Sequence, residues 1–156
     1  MDRIWAPWRK CYVTSDKKGG CIFCLERKSK LEDKKRYILK RSGRSFSMLN
    51  KYPYNTAHVM VAPYRHVKSL ELLKRTELMD LMELVNYTKK KIDKRFKPDG
   101  YNIGLNIGKI AGAGFPSHVH VHIVPRWAGD TNFMPILSDT KVVSHSLEEV
   151  YNLLKG

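Results

Sequence analysis

Three histidines alternate along one short segment of the chain, and their spacing is the strongest indication of chemistry in the sequence. His118, His120 and His122 are separated from one another by single valines. With six histidines in 156 residues, such a triplet has a chance expectation of about 0.01. Because alternate side chains of a β-strand point to the same face, the imidazoles would form one row while the apolar residues between them enter the core. The pattern favours a functional row over scattered surface histidines.

Two kinds of chemistry fit a row of imidazoles. Alternate histidines on a strand can bind Zn²⁺ if another ligand comes from elsewhere in the fold. Alternatively, a neutral imidazole can attack phosphorus while its neighbours orient it and transfer a proton to the leaving group. The spacing alone leaves both interpretations open.

Two of the three cysteines form a second motif. Cys21 and Cys24 make a CxxC, which is half of a zinc site, so two further ligands would have to come from distant parts of the chain. A reduced, buried pair of cysteines without metal is the alternative. Cys11 lies outside the motif and is expected to be a free thiol, because a chain of this length does not need a disulfide framework.

A glycine-rich loop at 108–114 directly precedes the histidine segment. It lacks the Walker spacing and has no Ser or Thr after Lys109, and it leads into a predicted strand, which excludes a P-loop or a Rossmann fingerprint. Its backbone N–H groups can form a small nest for phosphate oxygens. A plain tight turn is the alternative.

The elements that must position these residues are strands and helices in an α+β arrangement. β-rich runs with turn residues between them predict strands at 37–40, 45–50, 57–62, 101–107 and 118–124. The runs at 45–50 and 57–62 are expected to pair antiparallel.

Two helices are predicted. Thr76 can cap a long helix that ends before Pro98, and its apolar stripe is interpreted as core: Leu78, Leu81, Met82, Val85, Ile92 and Phe96. Ser146 and Glu149 form a capping box that opens a short helix at 147–155, beside a His145 that is expected to be exposed. The whole chain, 1–156, is predicted to be one domain with an aromatic, basic arm at 1–20, anchored by Trp5 and Trp8, and an extension at 127–156.

The charge balance points to polyanions. Lys and Arg number 29 against 15 Asp and Glu, a formal net charge of +14. Nine of these cations lie at 27–44, and Lys89, Lys90, Lys91, Lys94 and Arg95 crowd the end of the long helix. Each cluster is interpreted as either solvated surface or a phosphate-binding patch. No apolar run approaches the roughly 20 residues of a membrane span, and the first residues lack a signal-peptide core, so a cytoplasmic protein is expected.

These motifs together resemble the histidine triad family. The resemblance is carried by the alternating histidines at 118–122, by the segment at 55–66 with its His, apolar run and Pro-x-x-His, and by the Cys-Ile-Phe-Cys at 21–24. The segments at 4–9 and 125–135 are similar to the branch that includes diadenosine tetraphosphate phosphorylases. Membership implies an antiparallel sheet with one long helix on a face, and a homodimer.

The resemblance also implies roles for particular residues. His120 would be the nucleophile that forms a nucleotidyl-phosphohistidine, with His58 and His122 orienting it and assisting the leaving group. A structural zinc ion would be held by Cys21, Cys24, His66 and His118. Taken alone, His58 would be interpreted as a core histidine.

Substrate-binding positions follow in the same way. The implied set is Asn50, Asn106, Gly112, Ala113, Gly114, Ser117 and Trp127, with Asn50 on the ribose side. Where the family often has Gln or a hydroxyl residue, this chain has Ala113-Gly114-Phe115, and Ser117 is a candidate substitute.

The predicted function is therefore cleavage at the α-phosphate of an adenosine nucleotide through a covalent nucleotidyl-histidine, with a dinucleoside polyphosphate such as diadenosine tetraphosphate as the favoured substrate. Water or phosphate can be the final acceptor. The alternatives are deadenylation of nucleic-acid 5′ ends, an unrelated metal hydrolase, and a non-catalytic zinc-stabilised basic module that binds nucleotides or nucleic acid. A small nucleotide is the expected partner, nucleic acid is not favoured, and no membrane partner is expected.

Overall fold

The computed structural model describes residues 20–26, 30–132, 135 and 143–156. The predicted arm at 1–20, with Trp5, Trp8 and Cys11, therefore lies outside the described residues except for Gly20. The division of the chain into arm, domain and extension stays a prediction. The elements follow in the order β1 (Ile38–Arg41), β2 (Ser45–Leu49), β3 (Val59–Pro63), a 3-10 turn (Leu70–Leu72), α1 (Arg75–Phe96), β4 (Gly100–Leu105), β5 (Val121–Arg126) and α2 (Leu147–Lys155).

The strands form a five-stranded sheet in the order β1-β2-β3-β5-β4. Every neighbouring pair is antiparallel, and the predicted pairing of β2 with β3 is confirmed, with Ser45 opposite Pro63 and Leu49 opposite Val59. The pairing of β3 with β5 joins the two segments that carry the candidate catalytic histidines. Met60 of β3 lies opposite His122 of β5.

The two faces of the sheet pack against different hydrophobic clusters. On one face, Val59 and Val61 of β3 and Val121 and Ile123 of β5 pack in the main core cluster, which α1 and α2 cover. On the other face, Met60 and Ala62 pack in a second cluster around Phe23 and Phe46. We call these the helix face and the histidine face. The alternation expected for 118–124 is present in its second half, where Val121 and Ile123 lie toward the helices.

The strand at the histidine segment begins later than predicted. β5 starts at Val121, so His118, Val119 and His120 precede it rather than belong to it. The reason lies in their hydrogen bonds, since the Val119 N–H donates to the carbonyl of Val67 in a loop. The alternation of faces survives, because extended backbone alternates its side chains whether or not it pairs in a ladder.

The long helix also departs from its predicted start and stripe. Its N-cap is Lys74, one residue before Arg75, and the Glu77 carboxylate accepts from the Lys74 N–H at 2.8 Å, so Thr76 lies in the first turn and is not the cap. Leu78 and Met82 are exposed rather than core, whereas Leu84 and Thr88 are buried. The buried face is rotated from the predicted one, and with this face the helix packs on β2, β3 and β5.

Two strands have other bounds than predicted, since β3 begins at Val59, after His58, and β4 ends at Leu105 rather than at residue 107. The short helix and the fold class are confirmed. α2 spans Leu147–Lys155, Ser146 Oγ accepts from the Glu149 N–H, and His145 is exposed. The α+β class, with an antiparallel sheet, one long helix on a face and a short C-terminal helix, is the observed architecture. Among the described residues, no helix combines the length and the apolar character that crossing a bilayer requires.

Candidate active site and metal centre

Three histidines from two neighbouring strands meet on the histidine face. His58 lies just before β3 and His122 lies in β5, and His58 Nε2 is 2.9 Å from His122 Nδ1. The ring of His120 is 4.8 Å from that of His122, centroid to centroid. All three side chains are buried. The sheet pairing of β3 with β5 thus brings together the candidate catalytic residues His58, His120 and His122, whose roles stay predictions.

The hydrogen bonds around His58 fix where its proton lies. Its Nδ1 accepts from the Tyr54 N–H at 3.0 Å and from the Asn50 side-chain amide at 3.3 Å. A ring nitrogen that accepts carries no hydrogen, so the neutral ring has its proton on Nε2 and donates it to His122 Nδ1. Burial, with smaller contributions from His122 and His120, lowers the pKa of His58 to about 2, which keeps the ring neutral.

The same reasoning sets the tautomer of His122. Because its Nδ1 accepts a hydrogen bond from the Nε2–H of His58, the neutral ring of His122 carries its own hydrogen on Nε2. His122 can therefore donate a hydrogen bond from that side. His58 itself acts only through His122, since both of its nitrogens are occupied by this chain of hydrogen bonds.

His120 has the opposite arrangement. Its Nδ1 is 2.8 Å from the backbone carbonyl of His118, which can only accept, so Nδ1 carries the hydrogen and the lone pair of the neutral ring lies on Nε2. Phe23, fully buried, stacks on the same ring with centroids 4.5 Å apart and an interplanar angle of 28°. The carbonyl fixes the tautomer and the phenyl ring fixes the plane. This is the arrangement that an imidazole nucleophile needs.

A strained backbone position precedes His58. Ala57 has a φ of 58°, in the left-handed region, where the resembling family usually has glycine. Its methyl group is buried in the main core cluster, which offsets part of the strain of roughly 1 kcal/mol. The turn directs the chain from the Asn55–Thr56 loop into β3 and so places the imidazole of His58 on the histidine face.

The predicted metal ligands also converge. Cys24 Sγ is 3.1 Å from His66 Nδ1, and Cys21 Sγ is 3.4 Å from His118 Nδ1. All four candidate ligand atoms lie within 4.8 Å of one another. Tetrahedral zinc with these ligand types places its ligand atoms roughly 3.3 to 3.8 Å apart. The four residues therefore fit a zinc ion, and they form a closed set of two thiols and two imidazoles that suits a structural site.

The surroundings of these ligands support that fit. His118 Nε2 is 2.9 Å from the carbonyl of Pro63, so Nε2 donates and Nδ1 faces the sulfurs, as in many metal-binding histidines. Burial is the main cause that lowers the pKa of His118 to about 4, so the ring is neutral. Cys24 is exposed and Cys21 half-buried, which disagrees with the alternative of a buried, metal-free pair.

The His66 loop is anchored to the long helix. Arg65, beside His66, forms an ion pair with Glu77 in the first turn of α1, at 2.7 Å. The Arg65 hydrogen bond is the largest cause that lowers the pKa of Glu77 to about 2. This ion pair holds the loop after β3 in place next to the cysteine loop.

The glycine-rich loop forms its own turn. Gly112, at φ 86°, donates its N–H to Lys109 O, and the Ala113 N–H donates to Gly108 O. These two amides shape the loop instead of pointing outward. A phosphate contact from the loop would therefore use the later residues, where Gly114 is half-buried and Ser117 exposed.

The other predicted substrate residues are placed as follows. Asn50 is buried and donates to His58, so it positions the histidine in addition to any ribose contact. Asn106 is half-buried just after β4. The indole N–H of Trp127 donates to the carbonyl of Phe96 at the end of α1, which ties Trp127 to the helix face and away from the histidines. Substrate binding by these residues stays a prediction.

Sequence reasoning missed three contributors to this site. Tyr54 acts through its backbone N–H, which every residue except proline has, so the sequence carried no signal for it. Asn55 donates to Asp130 at 2.7 Å and to the carbonyl of Pro125, tying the loop before His58 to the end of β5. Phe23 had one signal, its place between the two cysteines of the CxxC.

Comparisons with known proteins agree with the geometry. The HIT domain model matches residues 31–129. The AP-4-A phosphorylase of Mycobacterium tuberculosis is 34% identical over 161 residues, which cover 99% of this chain and 83% of that protein.

Solved structures show the same fold. The Plasmodium falciparum diadenosine triphosphate hydrolase, in complex with Cyclomarin A, is 26% identical with a TM-score of 0.63, covering 78% of this chain and 75% of that one. A Zn-bound histidine triad family protein from Mycobacterium smegmatis has a TM-score of 0.62 at 22% identity, covering 77% and 81%. A domain model that spans most of the described sheet and a relative that matches almost end to end lead to one conclusion: this chain belongs to the histidine triad (HIT) family.

Proposed function

We propose that this chain is a nucleotidyl hydrolase or transferase that cleaves an adenosine nucleotide at its α-phosphate, with a dinucleoside polyphosphate such as diadenosine tetraphosphate as substrate. The observation that carries the proposal is the pair of opposite tautomers in neighbouring histidines. His120 presents a lone pair on Nε2, and His122 carries a hydrogen on Nε2. One ring can thus attack phosphorus while the other donates a hydrogen bond to the leaving oxygen.

The first step forms a bond between His120 Nε2 and the α-phosphorus and breaks the bond from that phosphorus to the bridging oxygen of the leaving group. The leaving group departs as a polyphosphate anion, and the Nε2–H of His122 donates a hydrogen bond to its oxygen. His58 donates its Nε2–H to His122 Nδ1 and so keeps the hydrogen of His122 on Nε2. The product of this step is a nucleotidyl-phosphohistidine and a free polyphosphate nucleotide.

The second step resolves the intermediate. Water or inorganic phosphate attacks the same phosphorus and releases its proton to solvent, while the bond from phosphorus to His120 Nε2 breaks and returns the neutral imidazole. With diadenosine tetraphosphate, water gives AMP plus ATP and phosphate gives ADP plus ATP. The relative from Mycobacterium tuberculosis is named a phosphorylase, which favours phosphate as the acceptor.

A zinc ion at Cys21, Cys24, His66 and His118 would have a structural role, since four protein ligands leave no open position for substrate. His118 would link the metal to the nucleophile, because its ring is a ligand and its carbonyl holds His120. Reduced thiols at this site suit a cytoplasmic location. A homodimer is part of the proposal and is tested by light scattering coupled to size-exclusion chromatography.

The decisive experiment incubates the purified chain with diadenosine tetraphosphate, with and without phosphate, and identifies the products by chromatography. ADP plus ATP only in the presence of phosphate is the expected result. A radiolabelled adenylate that stays on the denatured wild-type protein and is absent from His120→Ala would support the covalent intermediate. Equal turnover by wild type and His120→Ala would overturn the catalytic proposal, and chelator-sensitive turnover with no protein-bound adenylate would indicate a metal hydrolase instead.

Deadenylation of nucleic-acid 5′ ends is a second candidate, favoured by the net charge of +14. It uses the same attack on the α-phosphorus and differs only in the leaving group. A 5′-adenylated oligonucleotide, tested at the same concentration in the same assay, separates the two by their kcat/KM values. A non-catalytic basic module would instead bind these ligands without turnover and would retain that binding in His120→Ala.

A further inference from the structure

The positive charge that the proposed active site does not use collects on one surface. Five residues in the second half of α1 follow the helical spacing i, i+3, i+4, i+7 and i+8, which places them on one face: Tyr87, Lys90, Lys91, Lys94 and Arg95. All are exposed except Lys91, which is half-buried. We call the cations around this stripe the basic surface; it comprises Lys30, Lys40, Lys90, Lys91, Lys94, Arg95 and Lys155.

Contacts join the two basic clusters that are separate in the sequence. Lys40 of β1 places its Nζ 5.3 Å from the ring centroid of Tyr87 on α1. Lys91 Nζ donates to the carbonyl of Leu154, near the end of α2, at 2.9 Å. Lys155 of α2 donates in turn to the carbonyl of Ile38 in β1, at 2.7 Å. The edge strand, the end of the long helix and the end of the short helix thus form one continuous surface.

Most of these cations lack acidic partners. Within the described residues, no carboxylate lies within ion-pair distance of Lys40, Lys94 or Arg95. Asp93, the acid nearest to them along α1, is bound by Lys89 and by the Tyr101 hydroxyl. Gathering like charges destabilises a fold, so a surface of this kind is best compensated by a polyanion.

Repulsion among these charges is visible at Lys155. Burial is the largest cause that lowers the pKa of Lys155. The pKa is lowered further by the positive charges of Arg41, Lys30 and Lys91, and it is raised by Asp33. The cations are therefore close enough to act on one another.

The positions of the exposed apolar residues on α1 distinguish a membrane from a nucleic acid as the polyanion that binds. A helix that binds a membrane carries apolar residues alongside its lysines over its whole length. Here the exposed apolar residues of α1 lie at the opposite end of the helix: Leu78, Met79 and Met82. With a helical rise of about 1.5 Å per residue, Met79 is about 18 Å along the axis from Lys91. An exposed tyrosine, Tyr87, lies among the lysines instead, which suits stacking of a base.

We propose that the basic surface binds the sugar–phosphate backbone of single-stranded nucleic acid. Because α1 covers the helix face, the surface is on the other side of the sheet from His58, His120 and His122. Nucleic acid held there leaves the histidine face accessible to a nucleotide. The proposal does not depend on the proposed enzymatic function, and either can fail without the other.

The test measures binding of the full chain to a fluorescein-labelled single-stranded 20-mer of mixed sequence by anisotropy at several salt concentrations. The variant K40E/K94E/R95E reverses three charges of the basic surface. The control K68E/K74E/R75E makes the same change in net charge with exposed residues before and at the start of α1. Circular dichroism and thermal unfolding check that both variants remain folded.

The expected result is a dissociation constant at least about tenfold weaker for the basic-surface variant than for the control. With about five phosphates neutralised, the logarithm of the wild-type binding constant should fall with the logarithm of salt at a slope of roughly −3 to −4. Equal weakening by both variants overturns the proposal. So does binding to phosphatidylserine vesicles or inorganic polyphosphate with no binding to the oligonucleotide.

Discussion

His118 and His120 lie two residues apart in one buried segment, yet they present opposite ring nitrogens to opposite kinds of site. His118 donates from Nε2 to the carbonyl of Pro63 and turns Nδ1 toward the cysteines. His120 donates from Nδ1 to the carbonyl of His118 and keeps its lone pair on Nε2. In each case a backbone carbonyl selects the nitrogen. The acceptor behind the ring thus distinguishes a candidate metal ligand from a proposed nucleophile, since the residue type is the same.

The two candidate sites are also joined. The imidazole of His118 belongs to the metal cluster, whereas its carbonyl holds the ring of His120. Phe23 makes a second connection, because it lies between Cys21 and Cys24 and stacks on His120. The metal centre is thus expected to position the nucleophile without touching substrate. Each prediction below removes one part of this arrangement.

The largest effect on activity is expected from replacing the proposed nucleophile. His120→Ala should lower kcat by about six orders of magnitude, as removal of the nucleophile does in a serine protease. Its zinc content, measured by mass spectrometry of the native protein, should stay at the wild-type value because no ligand is changed. His145→Ala, at an exposed histidine, is the matched control and should keep full activity. Loss of zinc from His120→Ala would contradict the division of roles.

Removing a metal ligand should instead lower zinc content and stability, and it should affect activity less. Cys24→Ser is expected to lose zinc and to lower stability by about 4 kcal/mol, the contribution of a ligand present at a thousand times its dissociation constant. That corresponds to a fall in Tm of roughly 10 °C, measured by calorimetry. Below the new Tm the variant should retain much more activity than His120→Ala. A Tm equal to that of wild type, with and without a chelator, would show that the cluster binds no structural metal.

The sequence predicted most of this comparison, and the part it missed has a physical reason. The alternation of histidines and valines predicted their two faces, and the family resemblance of the CxxC and Pro-x-x-His segments implied a metal cluster. It could not predict that His118 and His120 precede β5, because periodicity reports alternating side chains and not ladder hydrogen bonds. Nor could it predict the burial of the row, or the exposure of Leu78 and Met82, which depend on where other elements pack.

The tautomers of the histidines are even harder to predict from the sequence. They depend on backbone groups such as the Tyr54 N–H and the carbonyls of Pro63 and His118, which any side chain at those positions would supply. The residues that the family resemblance nominated for catalysis do meet in space. The chemistry available to each follows only from the hydrogen bonds behind them.

The neutral state of His58 should be visible in the pH dependence of stability. Its folded pKa is about 2 and its ordinary value is 6.5, so between these values the unfolded chain binds a proton that the folded chain excludes. This group has no effect on stability above pH 6.5. Below that pH the folded protein loses stability, and the loss reaches about 2 kcal/mol at pH 5.

Urea unfolding of His58→Gln tests this. The loss of free energy of unfolding between pH 7 and pH 5 should be about 2 kcal/mol smaller in His58→Gln than in wild type. Comparing each protein with itself removes any cost of the substitution that does not vary with pH. His145→Gln, at the exposed histidine, should keep the wild-type slope. An unchanged slope in His58→Gln would mean that His58 is protonated in the folded protein.

The smallest effect is expected at Phe23, and it tests whether the metal loop positions the nucleophile. Phe23→Leu keeps an apolar side chain in a fully buried position but removes the ring stacked on His120. An aromatic pair contributes about 1 kcal/mol beyond its buried area, so kcat should fall roughly fivefold with little change in KM. Phe46→Leu, in the same core cluster and 0% exposed, is the matched control for loss of packing. If the two variants lose kcat equally at matched stability and unchanged zinc content, Phe23 fills the core and does not orient His120.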